Sequence, residues 1–210
     1  MKTSQKIVVS LAAFGLKIYL GLGIYKFWSG IHRMLFDRKW KHVELPKLSV
    51  EEAAERMHKF VWKKDGPSEL FDAVCTPQKV QAVGFSDDAE QSPHGNDCDE
   101  EAIWNANVIQ PGYPLIGADF FTVTWYEPAT DKLKSQFSGH NVCLLRYVDC
   151  FKYMDYGMPS KPCKTIDEVA DLIIQRYAGW DSSGHGSRFA VRVCWCICGP
   201  NLKPLMSKMK

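Results

Sequence analysis

The order of helix and strand signals limits this chain to one class of fold. Capped, apolar-periodic segments typical of helices dominate before Pro111, and runs rich in aromatic and β-branched residues follow it. The predicted helices cover residues 49–64, a short segment after Pro77, and residues 99–110 and 165–179. The predicted strands cover residues 119–126, 140–148, 151–156 and 188–198, the last of them being the final strand. Helices followed by successive strands predict an α+β domain with an antiparallel sheet.

The composition indicates a globular chain with a sizeable core. Of the 210 residues, 46% are hydrophobic and 12% aromatic, so we expect one domain with an N-terminal extension. The formal net charge is only +2, and the Lys and Arg residues are scattered along the chain. This distribution argues against a nucleic-acid-binding protein.

The eight cysteines lack the repeated short spacings of a disulfide framework. A chain of this length does not need disulfides for stability, so we expect reduced thiols and a cytoplasmic, reducing compartment. Cys194, Cys196 and Cys198 would lie on one face of a strand, as small core residues. A metal cluster is the alternative, but zinc-ligand pairs usually stand two or more residues apart and have His partners. We therefore predict no metal and no cofactor.

The N-terminal segment over residues 7–31 is apolar apart from two serines and two lysines. Lys17 leaves Ile7 to Leu16 as the longest uncharged stretch, which is short against the roughly 20 residues of a membrane span. The apolar spacing predicts a helix laid on a core or on a membrane surface. A membrane anchor or uncleaved signal is the alternative. Leu45-Pro46 marks a boundary, which divides the chain into an extension, 1–45, and a folded domain, 46–210.

One cysteine occupies a position that favours reactivity. Cys98 lies in the string Gly95-Asn96-Asp97-Cys98-Asp99-Glu100-Glu101-Ala102, directly before a predicted helix. At a helix start a thiol faces unpaired backbone N–H groups and the positive end of the helix dipole, which stabilise the thiolate. We expect Asp99 beside it to be an ordinary first-turn acid. Cys98 is therefore the candidate nucleophile.

A nucleophilic thiol needs a base and a group that orients this base. His140 stands at the head of an apolar strand, and Asp155 lies on the next strand. A two-residue turn at Asp149-Cys150 would pair Asp155 with Leu144. That pairing leaves Asp155 four residues from His140, or about 13 Å along a flat strand. A bulge, a strong twist or an earlier turn would have to bring the two side chains together.

In this order the motifs resemble the transglutaminase-like superfamily of cysteine hydrolases. Its signature is a Gly-Asp-Cys-Asp-like motif that opens a helix, then a strand led by His, then an Asp on the following strand. The matching segments are Asp97-Cys98-Asp99 with Glu100, Glu101 and Ala102, then Gly139-His140-Asn141-Val142, and then Tyr153-Met154-Asp155. Thr76-Pro77-Gln78-Lys79-Val80 is similar to a Pro-led segment of bacterial and phage members. The resemblance covers residues 49–157, and the order of its motifs is more specific than any one of them.

The resemblance implies a papain-like fold, in which the helix that carries the cysteine packs against an antiparallel sheet. It implies a cysteine peptidase or amidase that works through a thioester. Cys98 would be the nucleophile, His140 the general base and then acid, and Asp155 the orienting carboxylate. By analogy with papain-like enzymes, Gln91 would be an oxyanion donor. The expected partner is a protein or peptide substrate.

Two other functions stay open. A catalytically inactive member of the same fold would serve as a peptide-binding or assembly module. This alternative is favoured if His140 and Asp155 cannot reach Cys98. Transamidation would need an amine site and often calcium, and the sequence has no calcium-loop signature such as an EF-hand.

Overall fold

The computed structural model describes residues 37–62, 74–85, 97–128, 136–178, 190–199 and 201–209. Its helices are α1 (Val50–Met57), α2 (Pro77–Val83), α3 (Cys98–Val108) and α4 (Ile166–Tyr177), and a 3₁₀ turn (Arg38–Trp40) precedes them. Its strands are β1 (Leu115–Glu127), β2 (Gln136–Tyr147), β3 (Phe151–Asp155), β4 (Met158–Pro159), β5 (Val191–Cys198) and β6 (Pro204–Met209). The strands form one antiparallel sheet in the order β4-β3-β2-β1-β5-β6. The predicted α+β class is confirmed.

Helices cover both faces of the sheet. Side chains alternate between the two faces along a strand, so two separate cores form, and both contain side chains of β1, β2, β3 and β5. The core under α3 contains Ile103, Trp104, Phe120, Cys143, Leu145 and Met154. The core under α4 contains Phe121, Val123, Val142, Leu144, Tyr153 and Ile173. The alternation of the strands therefore decides which side chains meet α3 and which meet α4.

The first helix begins where the sequence predicts and ends earlier. Ser49 and Glu52 form the predicted capping box, in which the Ser49 hydroxyl accepts the N–H of Glu52 at 3.1 Å. The helix ends at Met57 rather than at the predicted Lys64. Three successive 3₁₀-type hydrogen bonds follow, and then the N–H of Val61 donates to the carbonyl of Gly84 at 3.0 Å. This bond to the end of α2 draws the backbone out of the helix.

Three predictions about the strands are wrong. The strand predicted to begin at His140 is β2, which begins at Gln136, so His140 lies within the strand and not at its head. The two-residue turn considered at Asp149-Cys150 lies one residue earlier, because Arg146 pairs with Phe151 and the N–H of Tyr147 donates to the carbonyl of Cys150 at 2.8 Å. The strand predicted to be the last, β5, is followed by β6. Every residue of β6 is exposed, so β6 lacks the alternation of apolar and polar residues by which a half-buried strand is recognised.

The N-terminal segment over residues 7–31 lies outside the described residues, and the helix predicted there stays a prediction. Among the residues that are described, no helix combines the length and apolar character needed to cross a membrane. The end of the extension contacts the domain, since the buried carboxylate of Asp37 accepts the N–H of Thr76 at 2.7 Å.

Candidate active site

Cys98 is the first residue of α3, so its thiol lies at the amino end of the helix as predicted. The helix begins there because Asp97 caps it. The Asp97 carboxylate accepts the N–H of Asp99 at 3.1 Å, and the Glu100 carboxylate accepts the N–H of Asp97 at 3.3 Å. The Cys98 thiol is partly exposed and donates to Oδ1 of Asp99 at 3.6 Å.

Asp99 was predicted to be an ordinary first-turn acid, but its side chain also bonds the start of α3 to the sheet. It is buried and accepts a short hydrogen bond from Nδ2 of Asn141 on β2. Oδ1 of Asn141 accepts the hydroxyl of Thr122 on β1 at 2.6 Å. Because Asn141 directly follows His140, these bonds fix the start of α3 against the part of β2 that carries the candidate base.

Two more buried acids join the start of α3 to its surroundings. Glu100 accepts the N–H of Cys75, before α2, at 3.0 Å, and Glu101 accepts the N–H of Gly157, after β3, at 3.2 Å. Burial raises the pKa of Glu100 well above its ordinary value. Burial, and secondly the charge of Asp155, raise the pKa of Glu101 to about 8. Both carboxyls hold their protons to higher pH than an exposed glutamate does, which limits the negative charge around Cys98.

His140 and Asp155 form a buried pair. Nε2 of His140 lies 3.0 Å from Oδ1 of Asp155, and the two residues are 7% and 1% exposed. An ionised carboxylate only accepts hydrogen bonds, so the proton of a neutral imidazole lies on Nε2 and leaves Nδ1 as the basic nitrogen. The geometry is that of a base whose ring is oriented by an acid.

The register of β2 and β3 explains how the two side chains meet. Met154 pairs with Cys143, so the next residue, Asp155, comes beside position 142. Asp155 is therefore two residues from His140 rather than four, or about 7 Å along the strand. The earlier start of the β2–β3 turn closes the distance that the predicted two-residue turn left open.

Two residues at the end of α4 lie beside the His140–Asp155 pair, which we call the dyad. Neither residue was predicted from the sequence. The hydroxyl of Tyr177 donates a short hydrogen bond to Oδ2 of Asp155. The Tyr177 ring lies 4.0 Å from the His140 ring between centroids, with a tilt of 34°. Nη1 of Arg176 lies 3.8 Å from Oδ2 of Asp155. The helix itself was predicted, but a single sequence does not disclose which face of the sheet it covers.

The start of α3 and the dyad meet the same part of β2, residues 140 and 141, from different faces. Alternation turns Asn141 toward α3 and turns His140 toward Tyr177 of α4. Tyr156 is near both sides, since its ring lies 6.5 Å from the His140 ring, and its pKa is raised by burial and by the charges of Asp155 and Cys98. Within the described ranges, no hydrogen bond joins the Cys98 thiol to the His140 ring. The structure thus joins His140 to Asp155 and bonds the start of the helix that carries Cys98 to the residue after His140.

The remaining predictions concern the oxyanion donor, metals and thiols. Gln91 lies outside the described residues. The ligand atoms of Asp97, Cys98 and Asp99 lie within 4.8 Å of one another. Consecutive acids are usual at a helix start, and these two serve as cap and anchor, so we assign no ion to them. All eight cysteines fall within the described residues, and none forms a disulfide.

Comparisons of the chain with family models, with curated proteins and with solved structures gave no match.

Proposed function

We propose that this chain is a cysteine-dependent acyl-transfer hydrolase, a peptidase or amidase with a papain-like arrangement of the transglutaminase-like type. Cys98 is the nucleophile, His140 the general base and then acid, and Asp155 the group that orients the imidazole. The observation that carries the proposal is the buried 3.0 Å contact between Nε2 of His140 and Oδ1 of Asp155. A polar pair costs free energy to bury, and here His140 stands beside Asn141, to which the start of α3 is bonded.

The proposed reaction uses the basic Nδ1 of His140. This nitrogen takes the thiol proton of Cys98 while Sγ attacks the carbonyl carbon of an amide, and the N–H of Cys98 donates to the oxyanion that forms. The C–N bond then breaks, His140 gives its proton to the departing amine, and a thioester remains. Water attacks the thioester after losing a proton to His140, which releases the acid and restores the thiol.

The thiol must leave Asp99 for this reaction to begin. At the first residue of a helix, a side chain can turn about its Cα–Cβ bond without disturbing the helical hydrogen bonds. Contacts between a nucleophile and its base are often long before substrate binds and shorten in the complex. The bonds from Asp99 through Asn141 hold α3 and β2 together while the thiol turns.

Alkylation by iodoacetamide tests whether His140 activates Cys98. The wild type is compared at neutral pH with Cys98→Ala, His140→Ala and Asp155→Asn, and modified cysteines are identified by mass spectrometry. We expect one fast site that is lost in Cys98→Ala, and a rate on the order of 100-fold lower in His140→Ala. Cys150 is the internal control, since it is also partly exposed and its pKa is raised by burial and by Asp149. Equal rates at Cys98 and Cys150, unchanged in His140→Ala, would rule out the hydrolase.

Acyl transfer is separated from simple thiol reactivity by an activated ester. With 4-nitrophenyl acetate, a thioester-forming enzyme releases a burst of nitrophenolate equal to the enzyme concentration. We expect this burst in the wild type and in Cys150→Ala, and its loss in Cys98→Ala.

A second candidate function is a catalytically inactive module of the same fold that binds a peptide or takes part in an assembly. The contact of the Cys98 thiol with Oδ1 of Asp99 favours it, because a carboxylate that accepts from a thiol opposes formation of the thiolate. For this module, Cys98→Ala would change neither ester turnover nor peptide binding.

A further inference from the structure

The end of α4 makes two contacts with the dyad through one residue. Tyr177 is the last residue of the helix. Its hydroxyl donates to Oδ2 of Asp155, and its ring packs on the His140 ring with 4.0 Å between centroids. The same side chain therefore touches the acid by its polar tip and the base by its face. Tyr177 lies outside residues 49–157, to which the resemblance is confined, and it is not part of the motif signature.

We propose that Tyr177 is the positioning residue of the His140–Asp155 dyad, fixing the carboxylate by its hydroxyl and the imidazole by its ring; this inference rests on the proposed function. A carboxylate held by one hydrogen bond can rotate about its Cβ–Cγ bond. A second donor on the other oxygen fixes the carboxylate plane, so that Oδ1 stays directed at Nε2. The packed ring restricts the corresponding rotation of the imidazole, and the two restraints together fix the direction of Nδ1.

The surroundings of Tyr177 keep its hydroxyl a donor. Burial is the main cause that raises the pKa of Tyr177, followed by the hydrogen bond to Asp155 and the charge of that group. The phenol therefore stays protonated throughout the neutral range. Arg176 contributes less to the dyad, because its guanidinium is 3.8 Å from Oδ2 and 41% exposed, where water screens the attraction.

The test separates the hydroxyl from the ring by comparing Tyr177→Phe with Tyr177→Leu. Tyr147→Phe is the matched control, since Tyr147 is a half-buried tyrosine at the far end of β2. Two properties are measured in the full chain. One is the rate at which iodoacetamide alkylates Cys98, and the other is the proton NMR signal of the Nε2–H of His140, which the contact with Asp155 protects from exchange. Circular dichroism and urea unfolding confirm that each variant is folded.

We expect Tyr177→Phe to lose or broaden the Nε2–H signal and to slow alkylation of Cys98 about tenfold, the effect of one hydrogen bond to a charged group. Tyr177→Leu should slow it further, and Tyr147→Phe should match the wild type. A wild-type signal and rate in Tyr177→Phe, while His140→Ala is slow, would overturn this inference and leave the proposed function in place. Unchanged alkylation in His140→Ala would overturn the proposed function and this inference with it.

Discussion

Glu101 shows how one buried carboxyl connects the candidate nucleophile's helix to the dyad. It lies one turn after Cys98, and its carboxyl accepts the N–H of Gly157, two residues after Asp155. The side chain is 2% exposed, and its pKa is raised to about 8 by burial and by the charge of Asp155. An ionised glutamate at this position would bring a second negative charge next to the acid that orients His140. The protonated form therefore suits the site.

The raised pKa of Glu101 makes stability depend on pH. The unfolded glutamate has an ordinary pKa of 4.5, whereas the folded one holds its proton up to about 8. Between these values the folded state binds a proton that the unfolded state has lost, so rising pH lowers the free energy of unfolding across this window. Glu101→Gln keeps an acceptor for Gly157 and cannot ionise. We expect it to raise the free energy of unfolding at pH 8 by on the order of 3 kcal/mol, and to change it little at pH 5.

Urea unfolding of Glu101→Gln and the wild type at both pH values checks this prediction. Glu55→Gln is the matched control, because Glu55 is exposed on α1. If the difference between Glu101→Gln and the wild type is the same at pH 5 and pH 8, Glu101 does not carry the predicted ionisation.

At the scale of the elements, the turn that follows β3 is constrained by its backbone conformation and by its contact with α1. Tyr156 and Gly157 both have left-handed backbone conformations, with φ of 51° and 70°. A Cβ on Gly157 would lie 2.8 Å from the carbonyl oxygen of Ala54 and 2.9 Å from Cβ of Met57. The turn thus packs directly on α1, and only glycine combines this φ with this approach. The same turn sets the end of the strand that carries Asp155.

Gly157→Ala tests the importance of this turn. We expect it to lower the free energy of unfolding by about 2 kcal/mol or more, from left-handed strain plus the contacts with α1. Gly112→Ala is the control, since nothing lies within 4 Å of a Cβ at that position, and a change within about 0.5 kcal/mol is expected there. Equal effects of the two substitutions in urea unfolding would contradict this account of the turn.

Some helices, strands and turns were predicted correctly from the sequence, and others were not. The starts of α1 and α3 follow from capping residues that act within one turn. The strand that contains His140 follows from its apolar run, but it begins four residues before the predicted start. The turn between β2 and β3 was placed one residue too late because its position depends on strand pairing, which is not local. The exposed edge strand β6 was missed because none of its residues is buried. Local signals thus predicted the helix starts, whereas pairing decided how Asp155 meets His140.

At the scale of the whole molecule, the candidate site is shared between two layers. The start of α3 contributes Cys98 from one face of the sheet, and the end of α4 supports the dyad from the other. The sequence predicted Cys98, His140 and Asp155 in order, but not Tyr177, because it does not disclose which face α4 covers. Because both layers pack on the same sheet, we expect that destabilising one layer also destabilises the part of the candidate site that the other layer holds.

This sharing predicts that the two layers unfold together. Ile103 on α3 and Ile173 on α4 are both fully buried, in the two separate cores. Each substitution to Ala should lower the free energy of unfolding by about 2–5 kcal/mol, while Ile116→Ala, at an exposed position of β1, should cost about 0.5 kcal/mol or less. Both cores contain side chains of β1, β2, β3 and β5, so neither layer keeps a complete sheet once the other is lost.

Hydrogen exchange followed by mass spectrometry distinguishes joint from separate unfolding. In Ile173→Ala, exchange should accelerate in peptides of α3 as well as of α4, and Ile103→Ala should accelerate both to the same extent for the same loss of stability. Acceleration confined to the substituted layer would mean that the cores unfold separately. In that case loosening α4 would disturb the dyad alone and leave the helix that carries Cys98 in place.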